Sequence, residues 1–309
     1  MNTTHPAGSG TASFISADLA ARTTASTLHL DGAPVAYWTY EPVQVQPGTR
    51  TILVIHGFRG DHHGLLRVAD HLPDMRIIMP DLPGFGSSAA FPSGAHSVEQ
   101  YGRFITAFME ALSLGPDTVL LGHSFGSIVA SHFAASHPGA VNPLILVNPI
   151  AAPALEGPKG IMTRLAVLYY RLAARLPSQA GQALLRNPLI VRVMSEAMAK
   201  TGDRELRAFI HGQHHAYFSS FADRDSLLES FTASVSHHVS EVATGLKLPV
   251  LLIAGEKDEI AALPDQHKLL ALLPDGELKV IPGVGHLIHY ETPEPAARHI
   301  QTFLKDHPA

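Results

Sequence analysis

The chain has 309 residues, 46% of them hydrophobic and 16% charged, which provides enough apolar material for a large core and excludes general disorder. Lys and Arg number 22 against 27 Asp and Glu, so the basic excess of a nucleic-acid-binding protein is absent. Cysteine does not occur, which excludes a disulfide framework, a zinc–thiolate site and a cysteine nucleophile.

The apolar runs are too short for membrane-spanning helices, because the longest of them, residues 51–55 and 249–254, have the length of strands. The first 25 residues are rich in Thr, Ala, Ser and Gly and lack the basic start and apolar block of a secretory signal. We therefore expect a cytoplasmic protein with no integral membrane segment, and we interpret residues 1–25 as a flexible N-terminal segment.

Short strands and helices alternate along most of the chain. A turn at Asp31-Gly32 predicts a hairpin of strands 27–30 and 35–40. Further strands are predicted at residues 51–55, 76–79, 118–121, 144–147, 250–254 and 278–281. Helices are predicted between them at residues 61–71, 98–112, 125–136, 265–273 and 294–304. Apolar strands alternating with helices are typical of an α/β fold, here a mostly parallel eight-stranded sheet flanked by helices.

The alternation stops between residues 150 and 245, where only helical patterns occur, at 161–176, 189–200, 204–218 and 227–242. A strand-free block of this length between two sheet strands is interpreted as an inserted all-helical cap over the edge of the sheet. The predicted organisation is a core α/β domain in two parts, residues 26–149 and 246–309, with the cap at residues 150–245 between them.

The first predicted cap helix has an apolar stripe, formed by Leu165, Leu168, Tyr169, Leu172 and Leu176. Three arginines lie largely off this stripe, namely Arg164, Arg171 and Arg175. The pattern favours an amphipathic helix with a solvated basic face. A site for an anionic substrate or a lipid surface is the alternative.

A G-x-S-x-G pentapeptide, residues 122–126, lies between a predicted strand and a predicted helix. An abrupt strand-to-helix turn strains its central residue, and glycines at both flanks remove the collisions that side chains would make there. Ser124 would then stand above the sheet at the positive end of a helix, where developing negative charge is favoured. The pattern predicts that Ser124 is a catalytic nucleophile.

A serine nucleophile needs a histidine base and a carboxylate that orients it. His286 and Asp258 each follow a strand of the predicted parallel sheet, so both belong at the same edge as Ser124. His123 and His289 are interpreted as packing groups. Glu256 and Glu259 are local competitors of Asp258, whereas the preceding strand is followed by Asn148-Pro149 and offers no acid. The predicted order is Ser, Asp, His.

An acyl-transfer site also needs two backbone N–H groups that stabilise the oxyanion. Phe125, directly after the nucleophile, would supply one of them. Phe58 would supply the other, because it follows a central strand and the preceding Gly57 lets the backbone approach closely.

Together with residues 56–58, 80–88 and 285–286, these motifs resemble the α/β-hydrolase superfamily, in its serine-nucleophile branch with a helical cap. The resemblance implies a catalytic triad and an activity among esterases, lipases, thioesterases, lactonases and carbon–carbon bond hydrolases, with cofactor-free haloperoxidation as a side activity. Related epoxide hydrolases and haloalkane dehalogenases carry aspartate at the nucleophile position, so Ser124 argues against both. Asp81 is expected to fix a turn.

The substrate pocket is the least determined part of the predicted site. Its candidate residues are Arg59, Tyr169, Phe209, Tyr217 and Phe218. Phe209, Tyr217 and Phe218, with Phe221, fit the core of the cap equally well. His211, His214 and His215 lie one helical turn apart, but no acid or cysteine joins them, so we expect no metal and no cofactor.

The sequence thus favours a serine hydrolase, carboxylesterase-like, that cleaves a small to medium apolar carboxylic ester through an acyl-enzyme intermediate. The first alternative is a carbon–carbon bond hydrolase of meta-cleavage-type diketone acids, whose carboxylates Arg59 or a cap arginine would bind. The second is a non-catalytic ligand-binding protein on the same fold. The expected partner is a small-molecule substrate and no nucleic acid, and a homodimer is left open.

Overall fold

The computed structural model describes residues 14–46, 48–153 and 160–308. Its centre is an eight-stranded sheet with the strand order β1-β2-β4-β3-β5-β6-β7-β8. The strands are β1 Thr23–Leu30, β2 Ala33–Tyr40, β3 Thr51–Ile55, β4 Arg76–Pro80, β5 Val119–His123, β6 Leu144–Val147, β7 Val250–Gly255 and β8 Gly276–Ile281. Strand β2 pairs antiparallel with β1 and β4, and the remaining neighbours are parallel. The predicted fold class is confirmed.

Helices cover both faces of the sheet, and five of them stand between β6 and β7. The helices are α1 Ala17–Ala21, α2 Leu66–Asp70, α3 Val98–Ala111, α4 Phe125–Ser136, α5 Gly160–Arg175, α6 Ser178–Leu185, α7 Pro188–Met198, α8 Arg204–Tyr217, α9 Arg224–Ser236, α10 Leu263–Leu272, α11 Ile288–Glu291 and α12 Pro293–Asp306. Within the described parts of the chain, no helix combines the length and the apolar character that crossing a membrane requires.

Successive residues of the central strand β3 enter two different hydrophobic clusters. Ile52 and Val54 pack with residues of α2 and α12, whereas Leu53 and Ile55 pack with residues of α3 and α4. Because both faces of the sheet are covered, the four successive side chains at residues 52–55 are all apolar and buried. The cover on both faces explains the uninterrupted apolar runs in the sequence. The same packing fixes the carboxyl ends of the strands along one edge of the sheet.

We expected residues 1–25 to be a flexible segment. In the structure, α1 and the start of β1 already lie within residues 17–25. The Ser16 hydroxyl accepts a hydrogen bond from the Leu19 amide, which caps α1, and donates to the Asp70 carboxylate. Leu19 is buried in the same cluster as Tyr40 and Ile52. One buried leucine and one cap therefore order this segment. Residues 1–13 lie outside the described residues.

The insertion between β6 and β7 contains one helix that the sequence pattern does not reveal, α6. It packs tightly on α5, since a Cβ at Gly181 would lie 2.2 Å from the Ala173 carbonyl oxygen. Helix α9 ends earlier than expected, because His237 has extended backbone dihedrals. Two short 3₁₀ turns follow it, Val239–Glu241 and Ala243–Gly245.

Helix α5 buries a different face from the one its apolar stripe predicts. Leu165, Leu168 and Leu172 are 54%, 62% and 52% exposed, whereas Tyr170 and Ala173 are buried. The buried face is narrow because the small Ala173 lets α6 approach and the Tyr170 ring stacks on Phe231 of α9. Arg164, Arg171 and Arg175 are exposed, as the amphipathic interpretation expects, but the leucine stripe is not the face that the helix buries.

Candidate active site

Ser124 stands in the turn between β5 and α4, in a strained backbone conformation with φ 53° and ψ −118°. Both flanking glycines are required by this turn. A Cβ at Gly122 would lie 2.4 Å from the Gly126 carbonyl oxygen, and a Cβ at Gly126 would lie 2.1 Å from the Ile55 carbonyl oxygen. The glycine pattern therefore reflects close contact between β5, α4 and β3, and the turn raises the serine at the carboxyl end of the sheet.

The structure brings Ser124, His286 and Asp258 together, and these three residues are called the triad below. His286 Nε2 lies 2.8 Å from Ser124 Oγ, and His286 Nδ1 lies 2.7 Å from Asp258 Oδ2. The imidazole and the carboxylate are 7% and 5% exposed, so water competes little for either bond. The arrangement can pass the serine proton to an imidazole whose tautomer the carboxylate fixes.

Asp258 is a saturated acceptor. Its Oδ2 accepts from His286, while its Oδ1 accepts the backbone N–H groups of Ile260 at 2.8 Å and Ala261 at 2.9 Å. Burial alone would raise the pKa of Asp258, but the neighbouring His286 and these N–H donors outweigh burial and lower that pKa below its usual value. The carboxylate therefore stays ionised and remains an acceptor for the imidazole.

The loops that carry Asp258 and His286 are held together by backbone contacts. The Lys257 N–H donates to the Val284 carbonyl at 2.8 Å. A Cβ at Gly255 would lie only 2.3 Å from the Gly285 carbonyl oxygen, so glycine is needed where the two loops touch. Glu256 and Glu259 point elsewhere, since Glu256 accepts from the Gly283 amide and Glu259 lies 3.5 Å from the Lys200 ammonium.

Asn148 is a member of the site that the sequence reasoning passed over. It follows β6, is fully buried, and has a φ of 47°, a conformation that Asn tolerates better than most residues. Its Nδ2 donates to Asp258 Oδ2 at 2.8 Å and to the Gly285 carbonyl at 3.3 Å. The signal in the sequence is its position directly after a parallel strand, at the edge where the triad assembles.

The backbone around Phe58 passes directly beside the nucleophile. A Cβ at Gly57 would lie 3.2 Å from Ser124 Cβ, and glycine makes this approach possible. Within residues 14–46, 48–153 and 160–308, neither the Phe58 N–H nor the Phe125 N–H has a hydrogen-bond acceptor. Two unpaired donors on either side of Ser124 are what an oxyanion site requires.

His123 and His289 form a buried layer behind the triad. The two rings lie 4.2 Å apart, and the His123 ring lies 5.6 Å from that of His286. Burial lowers the pKa of His123 to about 3 and holds the pKa of His289 well below its ordinary value. Both rings are therefore neutral packing groups at neutral pH, in agreement with their interpretation from the sequence.

Asp81 fixes the turn after β4. Its Oδ1 accepts from the His62 amide at 2.9 Å, and its Oδ2 accepts from the Ser87 amide at 2.8 Å. A Cβ at Gly86 would collide with this carboxylate. These contacts agree with the expected structural role.

Arg59 lies directly after Phe58 and joins the core to the insertion. Its guanidinium is 2% exposed and donates to the Phe218 carbonyl at 2.9 Å, the Tyr170 hydroxyl at 3.2 Å and the Leu185 carbonyl at 2.6 Å. The side chain thus contacts three separate helical segments of the insertion. These contacts fix the insertion above the turn after β3.

The four aromatic pocket candidates contact other parts of the insertion, the N-terminal segment or the turn before α2. The Tyr169 hydroxyl donates to the Leu184 carbonyl, and the Phe209 ring packs on Phe14. Tyr217 stacks on His63 at 3.7 Å, and Phe218 packs on His214 at 4.1 Å. The rings that lie against Phe58 are instead Tyr170 at 5.8 Å and Phe231 at 5.7 Å.

His211 and His214 both direct a ring nitrogen at the hydroxyl of Ser195. Their Nδ1 atoms lie 2.6 Å and 2.7 Å from Ser195 Oγ, and His215 is exposed. The hydroxyl between the two rings explains their spacing on α8.

Residues 50–293 match a family model described as alpha/beta hydrolase fold. This chain belongs to the α/β-hydrolase fold family. The matched range of this α/β-hydrolase runs from the residue before β3 to the start of α12, so it includes the triad and the insertion.

Two curated relatives align over most of the α/β-hydrolase. Uncharacterized hydrolase YugF of Bacillus subtilis (strain 168) is 25% identical over 283 residues, which cover 89% of this chain and 96% of the relative. Lipase 3 of Moraxella sp. (strain TA144) is 23% identical over 259 residues, which cover 82% of this chain and 76% of the relative. A solved esterase from Exiguobacterium antarcticum superposes with a TM-score of 0.72 at 18% identity, covering 91% of this chain and 100% of the esterase, and this likeness speaks for the fold alone.

Proposed function

We propose that this α/β-hydrolase is a serine hydrolase that cleaves a small to medium apolar carboxylic ester through an acyl-enzyme intermediate. The observation that carries the proposal is the 2.8 Å contact between Ser124 Oγ and His286 Nε2, with His286 Nδ1 held by Asp258. The name of the curated relative Lipase 3 supports an ester as the substrate class.

In the proposed mechanism, Ser124 Oγ attacks the ester carbonyl while His286 Nε2 takes its proton. Asp258 stabilises the imidazolium that forms, and the N–H groups of Phe58 and Phe125 bind the oxyanion. His286 then gives the proton to the departing alcohol, leaving the acyl group on Ser124. Water attacks this intermediate with the same imidazole as base, and the acid leaves.

We further propose that residues 150–245 act as a cap that bounds the acyl pocket. The hydrogen bonds of Arg59 and the packing of Phe58 on Tyr170 and Phe231 support this role. Aromatic rings beside an oxyanion donor favour apolar acyl or alcohol groups. Tyr170 and Phe231 therefore join the pocket proposal, while Tyr169 is a weaker candidate.

The carbon–carbon hydrolase alternative is less well supported. Its diketone acid substrate needs a cation for the carboxylate, and Arg59 is the candidate beside the triad. Three of the five N–H groups of that guanidinium already bond to the insertion. Recruiting Arg59 for a substrate would break contacts that hold the cap, so an ester substrate is favoured.

The test is the rate of hydrolysis of nitrophenyl esters with acyl chains of graded length, measured beside a dienoate carbon–carbon substrate. We expect turnover of the esters, with kcat/KM highest for short to medium acyl chains, and no bleaching of the dienoate chromophore. Turnover of the dienoate without ester hydrolysis would replace the ester proposal with the carbon–carbon alternative. The absence of both activities would leave the ligand-binding alternative.

Replacing Asn148 by glycine should lower kcat for the best ester about tenfold, with little change in KM. Glycine keeps the left-handed backbone but removes the amide that holds Asp258 Oδ2, and loss of such an orienting bond typically costs about 10- to 100-fold. The matched control is Asn187→Ala, which removes the cap of α7 and costs about 1 kcal/mol of stability. An unchanged kcat in Asn148→Gly would show that Asn148 does not position the acid.

A further inference from the structure

A cluster of histidines around one carboxylate lies outside the triad, where the insertion returns to the core. His132 is on α4, His237 and His238 follow α9, and Glu241 is in the first 3₁₀ turn after it. Glu241 Oε2 lies 3.3 Å from His132 Nε2 and 3.0 Å from His237 Nδ1, and Glu241 Oε1 lies 3.6 Å from His238 Nε2. Three rings from two different segments therefore converge on one glutamate.

The spacing of these atoms is that of a metal coordination shell. Ligand atoms of His132, His237 and Glu241 all lie within 4.8 Å of one another. Nitrogen and oxygen ligands placed tetrahedrally about 2.0–2.2 Å from zinc are themselves about 3.3 Å apart. His132 Nε2 lies 3.3 Å from Glu241 Oε2, close to this value, while His237 Nδ1 shares a 3.0 Å hydrogen bond with the same oxygen, which a bound ion would replace.

The direction of the His132 nitrogen provides a second, independent indication. His132 Nε2 is buried and has no hydrogen-bond partner among the described residues, although it lies 3.3 Å from the Glu241 oxygen. The nitrogen is close to the carboxylate but not aligned for a hydrogen bond with it. A lone pair that points beside the oxygen, rather than at it, is what an ion between the two atoms would need.

The surroundings of His132 resemble those of a metal ligand. The Glu241 carboxylate lies beside the His132 and His237 rings, which favours a positive ion nearby. Two imidazoles and one carboxylate suit zinc and other late divalent transition metals better than calcium or magnesium.

A second group of potential ligands, Asp61, His62 and His63, is less suitable. Its members are consecutive in the chain, and Asp61 Oδ1 already accepts from the His63 amide at 2.9 Å. His62 Nδ1 is bound to Asp81 Oδ1 at 2.9 Å. Hydrogen bonds engage all three of these residues, whereas in the first cluster His132 Nε2 has no hydrogen-bond partner among the described residues.

We propose that His132, His237 and Glu241 bind one divalent ion of the zinc class, with the fourth position completed by water or His238. The ion would join α4, the helix that begins after Ser124, to the segment that follows α9. His132 is eight residues beyond Ser124, or roughly 12 Å along the helix, so the ion stabilises the junction of core and insertion without entering the reaction.

The test uses the tag-free, full-length protein, freed of metal with a chelator and titrated with zinc chloride by calorimetry. We expect one zinc per chain. His237→Ala and Glu241→Gln should each weaken binding at least about tenfold, because each removes one of three ligands. The matched control is His29→Ala, which removes an exposed histidine of β1 and should bind zinc as the unmodified protein does. Zinc should also raise the Tm of the unmodified protein and the control, but not that of His237→Ala.

Two results would overturn the proposal. One is the absence of saturable one-to-one binding to the unmodified protein. The other is equal zinc affinity in the unmodified protein, His237→Ala and Glu241→Gln. Should the variants fold poorly, X-ray absorption of the zinc-loaded unmodified protein decides, since the proposal requires at least two imidazole ligands at about 2.0 Å.

Discussion

Replacing Ser124 by alanine is expected to lower kcat for ester hydrolysis by on the order of 10⁴-fold or more, with KM nearly unchanged. The substitution removes the oxygen that forms the acyl-enzyme, yet leaves the oxyanion donors and the pocket in place. The substitution removes no other side-chain hydrogen bond, because among the described side chains the Ser124 hydroxyl bonds to His286 alone. Steady-state rates on the best nitrophenyl ester measure the effect.

The control for this prediction is Ser131→Ala on the same helix. Ser131 is fully buried and its hydroxyl donates to the Ile128 carbonyl inside α4, away from the triad. We expect its kcat to stay within a factor of about two of the unmodified protein, because surrounding bonds in the helix remain. If Ser124→Ala kept more than a tenth of the activity, Ser124 would not be the nucleophile.

The second large effect concerns stability, which is expected to fall steeply as the pH drops below about 6.5. Four of the buried histidines dominate this effect, namely His56, His123, His214 and His289. Burial lowers the pKa of His123 and of His214 to about 3, and it also lowers the pKa of His56 and of His289. In the unfolded chain each of these histidines titrates near its ordinary pKa of about 6.5.

The direction of the effect follows from proton binding. Below about pH 6.5 the unfolded chain binds more protons at these four positions than the folded protein does, and at His123 and His214 this continues down to about pH 3, so acid favours unfolding. For each pH unit below about pH 6.5, each histidine lowers the free energy of unfolding by up to about 1.4 kcal/mol, and the four together lower it by up to roughly 5 kcal/mol. A domain is typically stable by about 5–15 kcal/mol, so one or two pH units suffice to unfold it. Because the pKa of Asp258 is lowered by folding, protonation of this carboxylate reduces the stability further only below about pH 4.

Urea unfolding at pH 7.5, 6.5 and 5.5 measures this dependence. We expect a small difference between the first two free energies of unfolding and a loss of several kcal/mol between the last two. His214→Asn should reduce the slope by about one proton, since it removes one buried ring. His29→Asn, at an exposed position, should leave the slope unchanged. A flat profile down to pH 5.5 would contradict the prediction.

Much of the fold could be predicted because its physical causes are local in the sequence. Runs of buried apolar residues such as Thr51–Ile55 identify strands covered on both faces, and parallel strands place their carboxyl ends at one edge. The same reasoning predicts that Ser124, Asp258 and His286 meet at that edge. The family match agrees with the resemblance on which this interpretation also drew.

Other features depend on contacts that periodicity does not contain. The leucine stripe of α5 is real as a pattern, but which face is buried depends on the neighbours, and here Ala173 and Tyr170 meet α6 and α9. Arg59 was proposed as a substrate ligand, whereas its bonds to Phe218 and Leu185 place it at the junction with the insertion. Its carbonyl partners are backbone groups, which no side-chain pattern reveals.

Asn148 illustrates a different limit. An amide after a strand has no chemical signature in the sequence, because its role arises only when Asp258 and Gly285 come within hydrogen-bonding distance. The cluster of His132, His237 and Glu241 is similar, since its members are separated by about a hundred residues and meet only where the insertion returns to α4.

The most direct test of the account is the covalent labelling of the protein by an organophosphonate, located by mass spectrometry of the digested chain. Such a reagent phosphonylates only a serine whose proton a nearby base removes. We expect one adduct, on the peptide that contains Ser124, with labelling abolished in Ser124→Ala and greatly slowed in His286→Gln. An adduct on another residue, or equally fast labelling of His286→Gln, would contradict the proposed pairing of Ser124 with His286.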